Sequence, residues 1–149
     1  MWECRGVIRA LDPADVARVT AVLGLARLHQ GDGSYLVAWE DGEPVGHLHL
    51  AMTEPPELQD LEVRDVARGR GIATALIAEA ESRCAERGWE RVRVAVSVDN
   101  PRARRLYERL GYEDVGIPPR RVTGTVQLRA GPLEVDDTLL TLEKALTGA

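Results

Sequence analysis

A short turn with two glycines, Arg68 to Ala73 (Arg-Gly-Arg-Gly-Ile-Ala), joins a strand-like stretch to a run of good helix formers. The stretch before it is Leu58 to Val63, and the apolar spacing after it predicts a helix that begins at Ile72. The first N–H groups of a helix have no partner within the helix and carry the positive end of its dipole. Glycine also lets the backbone come close to an anion. This succession of strand, turn and helix therefore predicts a phosphate-binding site.

The other apolar patterns and turn residues predict a mixed α/β domain. The order is β-α-β-β-β-α-β-α-β-β, with neighbouring hairpin strands rather than a doubly wound array of βαβ units. The predicted strands are Cys4 to Leu11, Tyr35 to Trp39, Val45 to Met52, Leu58 to Val63, Arg91 to Val98, one near Asp114, and Thr138 to Glu143. The predicted helices run from Asp12 to Gly31, from Ile72 to Arg87 and from Asn100 to Gly111. A Gly/Pro/Arg-rich loop is predicted from Ile117 to about Asp136.

Size and composition favour a single globular domain over residues 1–149, with 44% hydrophobic and 29% charged residues. The formal net charge of -5 argues against a broad nucleic-acid surface. No stretch is long and apolar enough to cross a membrane, and the N-terminus lacks the apolar segment of a signal peptide. Cys4 and Cys84 have no metal or redox spacing, so we expect buried thiols in a reducing, cytoplasmic compartment.

Two common phosphate loops fit the turn poorly. A Walker P-loop needs a lysine after its second glycine, and this turn has none. A dinucleotide fingerprint needs a third glycine where Thr74 stands. Its acidic residue, about 20 positions further on, falls near Glu90, before the next strand rather than at its end. An isolated Gly-x-Gly is often only a connecting loop, but here two arginines flank the glycines.

A second motif follows the turn and points to a known family. Arg68-x-x-Gly71-x-Ala73 resembles the Arg/Gln-x-x-Gly-x-Gly/Ala motif of the GNAT acetyltransferase superfamily. Residues 100–112 (Asn-Pro-Arg-Ala-Arg-Arg-Leu-Tyr-Glu-Arg-Leu-Gly-Tyr) are similar to the family's Asn-x-x-Ala-x-x-Leu-Tyr-x-x-x-Gly-Phe/Tyr segment. The resemblance is specific over residues 58–113. It implies an α/β (α+β) fold with a mostly antiparallel central sheet of about six or seven strands, helices on both faces and a splay after strand 4.

The resemblance implies that the turn binds the pyrophosphate of acetyl-coenzyme A (acetyl-CoA), the acyl donor. We expect no metal. By the same resemblance Asn100 binds the pantetheine arm, although an asparagine before proline is also a good helix N-cap. Arg104 or Arg105 is within reach of the 3′-phosphate, but both fit solvated helix arginines better. The expected cofactor-binding residues are Leu61, Val63, Arg68, Gly69, Arg70, Gly71, Ile72, Ala73 and Asn100.

The implied reaction is the attack of a neutral amine on a thioester. A lysine-like amine, with a pKa of about 10.4, must first lose a proton. The oxyanion needs a hydrogen-bond donor, and the departing thiolate is best protonated as it leaves. By resemblance Tyr107 is the expected catalytic acid. The alternative is a core aromatic, because Tyr107 shares one helix face with Ala103, Leu106 and Leu110.

Glu62 is the expected base, acting through water, since some family members carry an acidic residue at this strand position. Strand alternation places its side chain on the face opposite Leu61 and Val63. The alternative is a solvated strand carboxylate. By resemblance the Val63 N–H is the expected donor to the oxyanion.

His47 and His49 share one face of the third predicted strand. A His-x-His pair can bind a metal, but the sequence offers no obvious third ligand. A weaker alternative is that one of them contacts the acceptor or relays a proton.

The segments expected to face the acceptor carry no motif. A single helix between Asp12 and Gly31 would leave an open acceptor side, compatible with a protein N-terminus. An acidic lining would instead favour a cationic amine, and we expect a small-molecule amine. The acidic residues are Glu54, Glu57, Asp60 and Glu62. A protein or peptide acceptor, a non-catalytic acyl-CoA sensor and a nucleotide-dependent enzyme remain alternatives. We expect no nucleic acid or membrane partner, and a monomer or homodimer.

Overall fold

A computed structural model describes residues 6–24, 33–69, 71–128 and 131–146. These residues form one seven-stranded sheet in the order β1-β2-β3-β4-β5-β7-β6, with three α-helices. The strands are β1 (Gly6–Ala10), β2 (Gly33–Glu40), β3 (Glu43–Ala51), β4 (Glu57–Val63), β5 (Arg91–Ser97), β6 (Arg120–Leu128) and β7 (Gly131–Ala145). The helices are α1 (Val16–Leu23), α2 (Ile72–Glu86) and α3 (Pro101–Arg109), and short 3-10 helices span Pro13–Asp15 and Asp65–Ala67. The predicted order of strands and helices is confirmed as far as α3, and the strands after α3 differ from the prediction.

β4 and β5 lie side by side in parallel and separate almost at once. They pair only where Glu57 lies opposite Arg93 and Leu58 opposite Val94. Every other pair of neighbouring strands in the described sheet is antiparallel. Two paired residues do not hold the rest of β4 against β5, so the strands diverge toward their C-terminal ends. The splay after the fourth strand and the mostly antiparallel sheet are confirmed.

Alternating side chains give the sheet two apolar faces. Leu36 of β2 faces the larger core, which contains Leu76 and Ile77 of α2. Val37, the next residue of β2, faces a smaller core that contains Val19 of α1. Because side chains in a strand alternate between faces, one strand supplies both cores. Helices therefore cover both faces of the sheet, as expected.

α2 packs so closely on β3 that a side chain larger than glycine would crowd the contact. A Cβ on Gly46 would lie 3.1 Å from the Glu62 carbonyl oxygen and 3.3 Å from side-chain atoms of Ile72 and Leu76. Gly88, with a φ of 88°, follows the helix at its C-terminal end, as predicted. This packing holds the first turn of α2 beside the end of β4.

The first helix is shorter than predicted. α1 ends at Leu23, and Gly24, with a φ of 63°, bonds its N–H to the Thr20 carbonyl at 2.8 Å. A left-handed glycine ends the helix because it lets the chain turn back and satisfy a terminal carbonyl. The predicted helix continues past Gly24 because of the apolar residue Ala26, which lies outside the described residues. Cys4 of the first predicted strand also lies outside them.

The predicted loop from Ile117 to Asp136 is wrong, because most of this segment belongs to a β-hairpin. β6 pairs with the first part of β7, from Arg120 opposite Leu139 to Leu128 opposite Gly131. Glycine, proline and arginine in this segment indicate a loop, but β propensity depends on context and the antiparallel ladder outweighs it.

Two smaller predictions near the third helix are also wrong. Instead of a strand near Asp114, a single bridge joins Glu113 to Glu143. β5 ends at Ser97, and Val98 is 52% exposed rather than part of the strand's buried face. Within the residues that the structure describes, no helix has the length and apolar character needed to cross a bilayer.

Candidate active site

A cleft of about 1040 Å³ opens where β4 and β5 diverge. Its walls are the ends of these two strands, the first turn of α2 and one face of α3. The volume is at the upper end of the range for small-molecule and cofactor sites. The predicted site residues that line it are Leu61, Glu62, Val63, Arg68, Gly69, Gly71, Ile72, Ala73, Asn100 and Tyr107. Arg70 lies outside the described residues.

The glycine turn presents bare backbone to the cleft. Gly71 occupies the N-cap position of α2 with a φ of 83°, and no side chain caps the helix there. Gly69 has a φ of 81°, so both positions lie in the left-handed region that L residues rarely adopt. A Cβ at either glycine would meet nothing within 4 Å, which leaves open space in front of the turn. The N–H groups of Ile72 and Ala73 therefore begin the helix without a side-chain partner, an arrangement that favours an anion.

Arg68 ties the turn to the end of β4. Its Nε donates to the Val63 carbonyl at 3.1 Å, and its Nη1 lies 2.9 Å from an Asp65 carboxylate oxygen. These contacts leave one terminal nitrogen of the guanidinium with no described partner, so Arg68 can brace the strand and still offer a donor to a ligand.

The backbone N–H of Val63 points into the splay. The next N–H along the chain, that of Arg64, donates to the Val45 carbonyl of β3 at 2.9 Å. Successive N–H groups of an extended strand point to opposite sides. The Val63 N–H therefore points away from β3, and the Val63 carbonyl, on the same side, is the one that Arg68 contacts.

Tyr107 belongs to the core and lines the cleft at the same time. It is 5% exposed and packs edge-on against Tyr112, with ring centroids 5.4 Å apart. Burial raises the pKa of Tyr107 to about 12. The phenol therefore stays protonated throughout the neutral range, and its two predicted roles, core aromatic and proton donor, are compatible.

Asn100 caps α3, as its position before Pro101 predicts. Its side-chain oxygen accepts a hydrogen bond from the Ala103 N–H at 3.1 Å. The cap uses the oxygen alone, so the amide NH₂ group remains available at the cleft.

Glu62 lies on the face opposite Leu61 and Val63, as strand alternation predicts. Leu61 and Val63 contribute to the core under α2, whereas the Glu62 side chain is 58% exposed. One Glu62 carboxylate oxygen lies 3.8 Å from Nε2 of His47, a fully buried residue of β3.

His47 and His49 share one buried face of β3, and neither lines the cleft. His49 Nδ1 lies 3.2 Å from the Gln59 side-chain oxygen. Within the described ranges, no three His, Cys, Asp or Glu side chains are arranged to hold a metal ion. The absence of a metal requirement stays a prediction.

Sequence reasoning missed part of the basic wall of the cleft. Arg102, Arg105 and Arg109 of α3 all line it, whereas Arg104 pairs with Glu108 at 3.3 Å. The spacing of these three arginines in the sequence indicates their shared position, because residues three and four apart lie on one helix face. Of the two arginines considered for a phosphate contact, the cleft therefore includes Arg105.

Comparison with known proteins agrees with this geometry. The profile of the acetyltransferase (GNAT) family matches residues 7–112. An uncharacterized N-acetyltransferase of Methanocaldococcus jannaschii is 32% identical over 58% of this chain and 42% of its own length. A mycothiol acetyltransferase of Nocardia farcinica is 34% identical over 72% of this chain and 35% of its own length. The chain thus spans less than half the length of these curated relatives.

A solved structure shows the same fold. The ribosomal-protein-S18-alanine N-acetyltransferase of Escherichia coli superposes with a TM-score of 0.74, covering 97% of this chain and 96% of that one. The two sequences are only 15% identical, so this likeness concerns the fold alone.

The raised pKa of Tyr107 predicts a specific loss of stability in alkali. An unfolded tyrosine ionises with a pKa of about 10, and folded Tyr107 with a pKa of about 12. Its contribution to stability is therefore complete below pH 10 and is lost as the pH rises toward 12. Between pH 9 and pH 11 the Tyr107→Phe variant should lose about 1 kcal/mol less unfolding free energy than the wild type, measured by urea denaturation. Equal losses in the two proteins would contradict the buried, protonated phenol.

Proposed function

The chain belongs to the acetyltransferase (GNAT) family, and on that premise we propose that it transfers the acetyl group of acetyl-CoA to a primary amine by direct attack. One observation carries the proposal. A single cleft joins the uncapped N-terminus of α2, the backbone of Val63, the carboxylate of Glu62 and the phenol of Tyr107. Donor binding, oxyanion stabilisation and proton transfer would thus be served in one place.

The glycine turn and α3 would hold the donor. In this proposal the pyrophosphate of acetyl-CoA takes the N–H groups at the start of α2, with Arg68 and Arg70 supplying positive charge. The Asn100 amide and the backbone of Leu61 and Val63 would bind the pantetheine arm along the splayed edge of β4.

Glu62 would remove the proton from the amine, directly or through water. The Val63 N–H, which has no partner in β3, would donate to the oxyanion. Tyr107 would serve the departing thiolate. A thiol with a pKa of about 8.5 is a stronger acid than a phenol with a raised pKa. Tyr107 would therefore stabilise the thiolate by hydrogen bonding. As the amide forms, the attacking nitrogen would lose its second proton, and this proton would reach the thiolate through the Tyr107 hydroxyl.

We propose a small-molecule amine as the acceptor, supported by the carboxylates of Asp60 and Glu62, which would attract a cation to the cleft. A relative named for mycothiol and a fold neighbour named for a ribosomal protein leave both small and protein acceptors in the family's range. The proposal includes a cytoplasmic protein, monomeric or homodimeric, without nucleic acid or membrane partners. The free thiol of Cys84 is consistent with such a reducing compartment.

Turnover with a panel of acceptors tests the function. The wild-type protein, given acetyl-CoA, should release free CoA with at least one cationic small amine. It should release less with peptides that offer an N-terminus or a lysine. Measuring CoA release and acetylated product together separates transfer from hydrolysis. Binding of CoA without turnover across the whole panel would support the sensor alternative, and preference for a peptide would overturn the small-molecule assignment.

A charge placed in the glycine turn should abolish donor binding. Gly71→Glu puts bulk and a negative charge where the pyrophosphate is proposed to lie, so CoA affinity by calorimetry should fall at least 100-fold. Gly88→Glu is the matched control, because Gly88 has a similar φ of 88° at the other end of α2. It carries the same backbone strain and the same charge, away from the cleft. Similar CoA affinities for the two variants would contradict the phosphate site.

Removing the Tyr107 hydroxyl should slow the chemical step. Tyr107→Phe should lower kcat by about 10- to 10⁴-fold, the usual scale for general acid catalysis, with little change in CoA affinity. The ring still packs against Tyr112, so the fold should be kept. Single-turnover kinetics at saturating acetyl-CoA isolates the step, and an unchanged rate there would exclude the acid role.

A further inference from the structure

A buried histidine lies between two carboxylates of the cleft. His47 is fully buried, and neither of its ring nitrogens has a hydrogen-bond partner among the described residues. Its Nδ1 lies 3.8 Å from an Asp60 carboxylate oxygen, and its Nε2 lies 3.8 Å from a Glu62 carboxylate oxygen. Leaving a buried polar group without a partner costs about 1–3 kcal/mol, so such a group needs an explanation.

A bulge in β4 creates this arrangement. His47 lies opposite Glu62 and His49 lies opposite Gln59, so Asp60 and Leu61 together face one residue of β3. In a regular ladder Asp60 would lie opposite His49, one pair further from His47. Asp60 has a φ of 52°, a backbone conformation that is uncommon for residues other than glycine. Bulges of this kind re-aim side chains and are frequent beside active sites.

The Asp60 carboxylate is itself held in place. The Tyr35 hydroxyl of β2 donates to Asp60 Oδ2 at 2.6 Å, the same oxygen that faces His47 Nδ1. The Tyr35 ring also packs edge-on against the His47 ring, with centroids 5.5 Å apart. Asp60 is thus fixed on one side of the imidazole, while Glu62 on the other side is free to reach the cleft.

Titratable groups on the neighbouring strands surround His47. Burial is the largest influence and lowers the pKa of His47 below its ordinary value, while the charges of Asp60 and Glu62 and the nearby backbone of Leu23 and Asp60 oppose it in part. On β2 the titratable neighbour is Tyr35, and on β3 it is His49. α1 carries one charged side chain, Arg18, which pairs with Glu43 at 2.9 Å and does not face the ring. The net effect is a lowered pKa, so the resting imidazole is neutral at neutral pH, which is the form that can accept a proton.

We propose that His47 is a positioning residue that acts through Glu62, accepting from it the proton that the amine loses. This proposal rests on the proposed function. With its own proton on Nδ1 beside Asp60, the neutral ring offers the Nε2 lone pair to Glu62. The ammonium group gives one proton to the Glu62 carboxylate, and the resulting carboxyl group passes it to Nε2. The carboxylate is regenerated, and an imidazolium then lies between two negative charges.

The proton balance closes over one turnover. Acetylation of an ammonium acceptor releases one net proton, which is the proton that reaches His47. The second proton lost by the nitrogen ends on the CoA thiol through Tyr107. After the product leaves, the imidazolium returns its proton to Glu62, whose side chain is 58% exposed and can pass it to water.

Titration of the His47 imidazole by NMR tests the coupling without any need for turnover. The chain has three histidines, His29, His47 and His49, so the His47 signal can be assigned from His29→Gln and His49→Gln spectra. Glu62→Gln should lower the His47 pKa by about 1 or more, because it removes an opposite charge about 4 Å away. Asp60→Asn should lower it in the same direction.

Glu57→Gln is the matched control, since it removes a carboxylate from the same strand. Glu57 pairs across to Ala51 and binds Gln59 at 3.0 Å, without contact to His47. It should change the His47 pKa by no more than about 0.3. The proposal would be overturned if the wild-type His47 imidazole stays neutral down to pH 4.5. It would also be overturned if Glu62→Gln leaves the His47 pKa unchanged.

Kinetics then assigns the role in the reaction. His47→Gln keeps a polar side chain that cannot carry the proton, so kcat at saturating acetyl-CoA should fall about 10-fold or more, with CoA affinity unchanged. The acidic limb of the kcat profile should shift as well, and His49→Gln should change neither quantity by more than about twofold. A kcat for His47→Gln equal to that of the wild type would overturn the proposed proton transfer from Glu62 to His47. Absence of turnover with every amine would instead overturn the proposed function, while the NMR coupling stands or falls separately.

Discussion

The separation of β4 from β5 is the constraint on which the rest of the site depends. Two residue pairs join these strands, and beyond them the backbone of β4 has no neighbouring strand on one side within the described part of the chain. An interior sheet strand with unpaired N–H groups is costly unless something else binds them. In this protein the open side becomes the cleft, and the Val63 N–H and carbonyl both point into it. The opening thus supplies space and hydrogen-bond donors at once.

The cleft has walls of opposite charge, and this polarity orders the proposed reaction. The start of α2 and the arginine face of α3, with Arg102, Arg105 and Arg109, form a positive side suited to a phosphate donor. Asp60 and Glu62, on β4, form a negative side suited to an amine. Because the strand bulge brings Asp60 to His47, which already lies opposite Glu62, the negative side also has a buried group that can exchange a proton. In the proposed reaction the same irregular strand would therefore separate the donor site from the acceptor site and link the two chemically.

Much of the fold follows from local patterns that the structure confirms. Alternation in β2 and β3 and the glycines at both ends of α2 are features of sequence that act over a few residues. The failures also have local causes. The apolar spacing continues past Gly24 to Ala26, so the sequence predicts too long a first helix. The Gly, Pro and Arg residues of the tail indicate a loop, whereas the stability of the β6–β7 hairpin depends on the ladder between its strands rather than on its residues alone.

The sequence by itself determined the local backbone of the proposed donor site, because a glycine turn before a helix and an asparagine before α3 have structural effects set by the backbone nearby. It also placed Glu62 on the correct face of β4 through simple alternation. Only the tertiary structure decided that Asp60 joins His47, since this contact depends on a bulge and on pairing between β3 and β4. Likewise, only the fold shows that Tyr107 is buried and still lines the cleft. Helix periodicity identifies an inner face, but it does not distinguish a packed core from the wall of an opening between two strands.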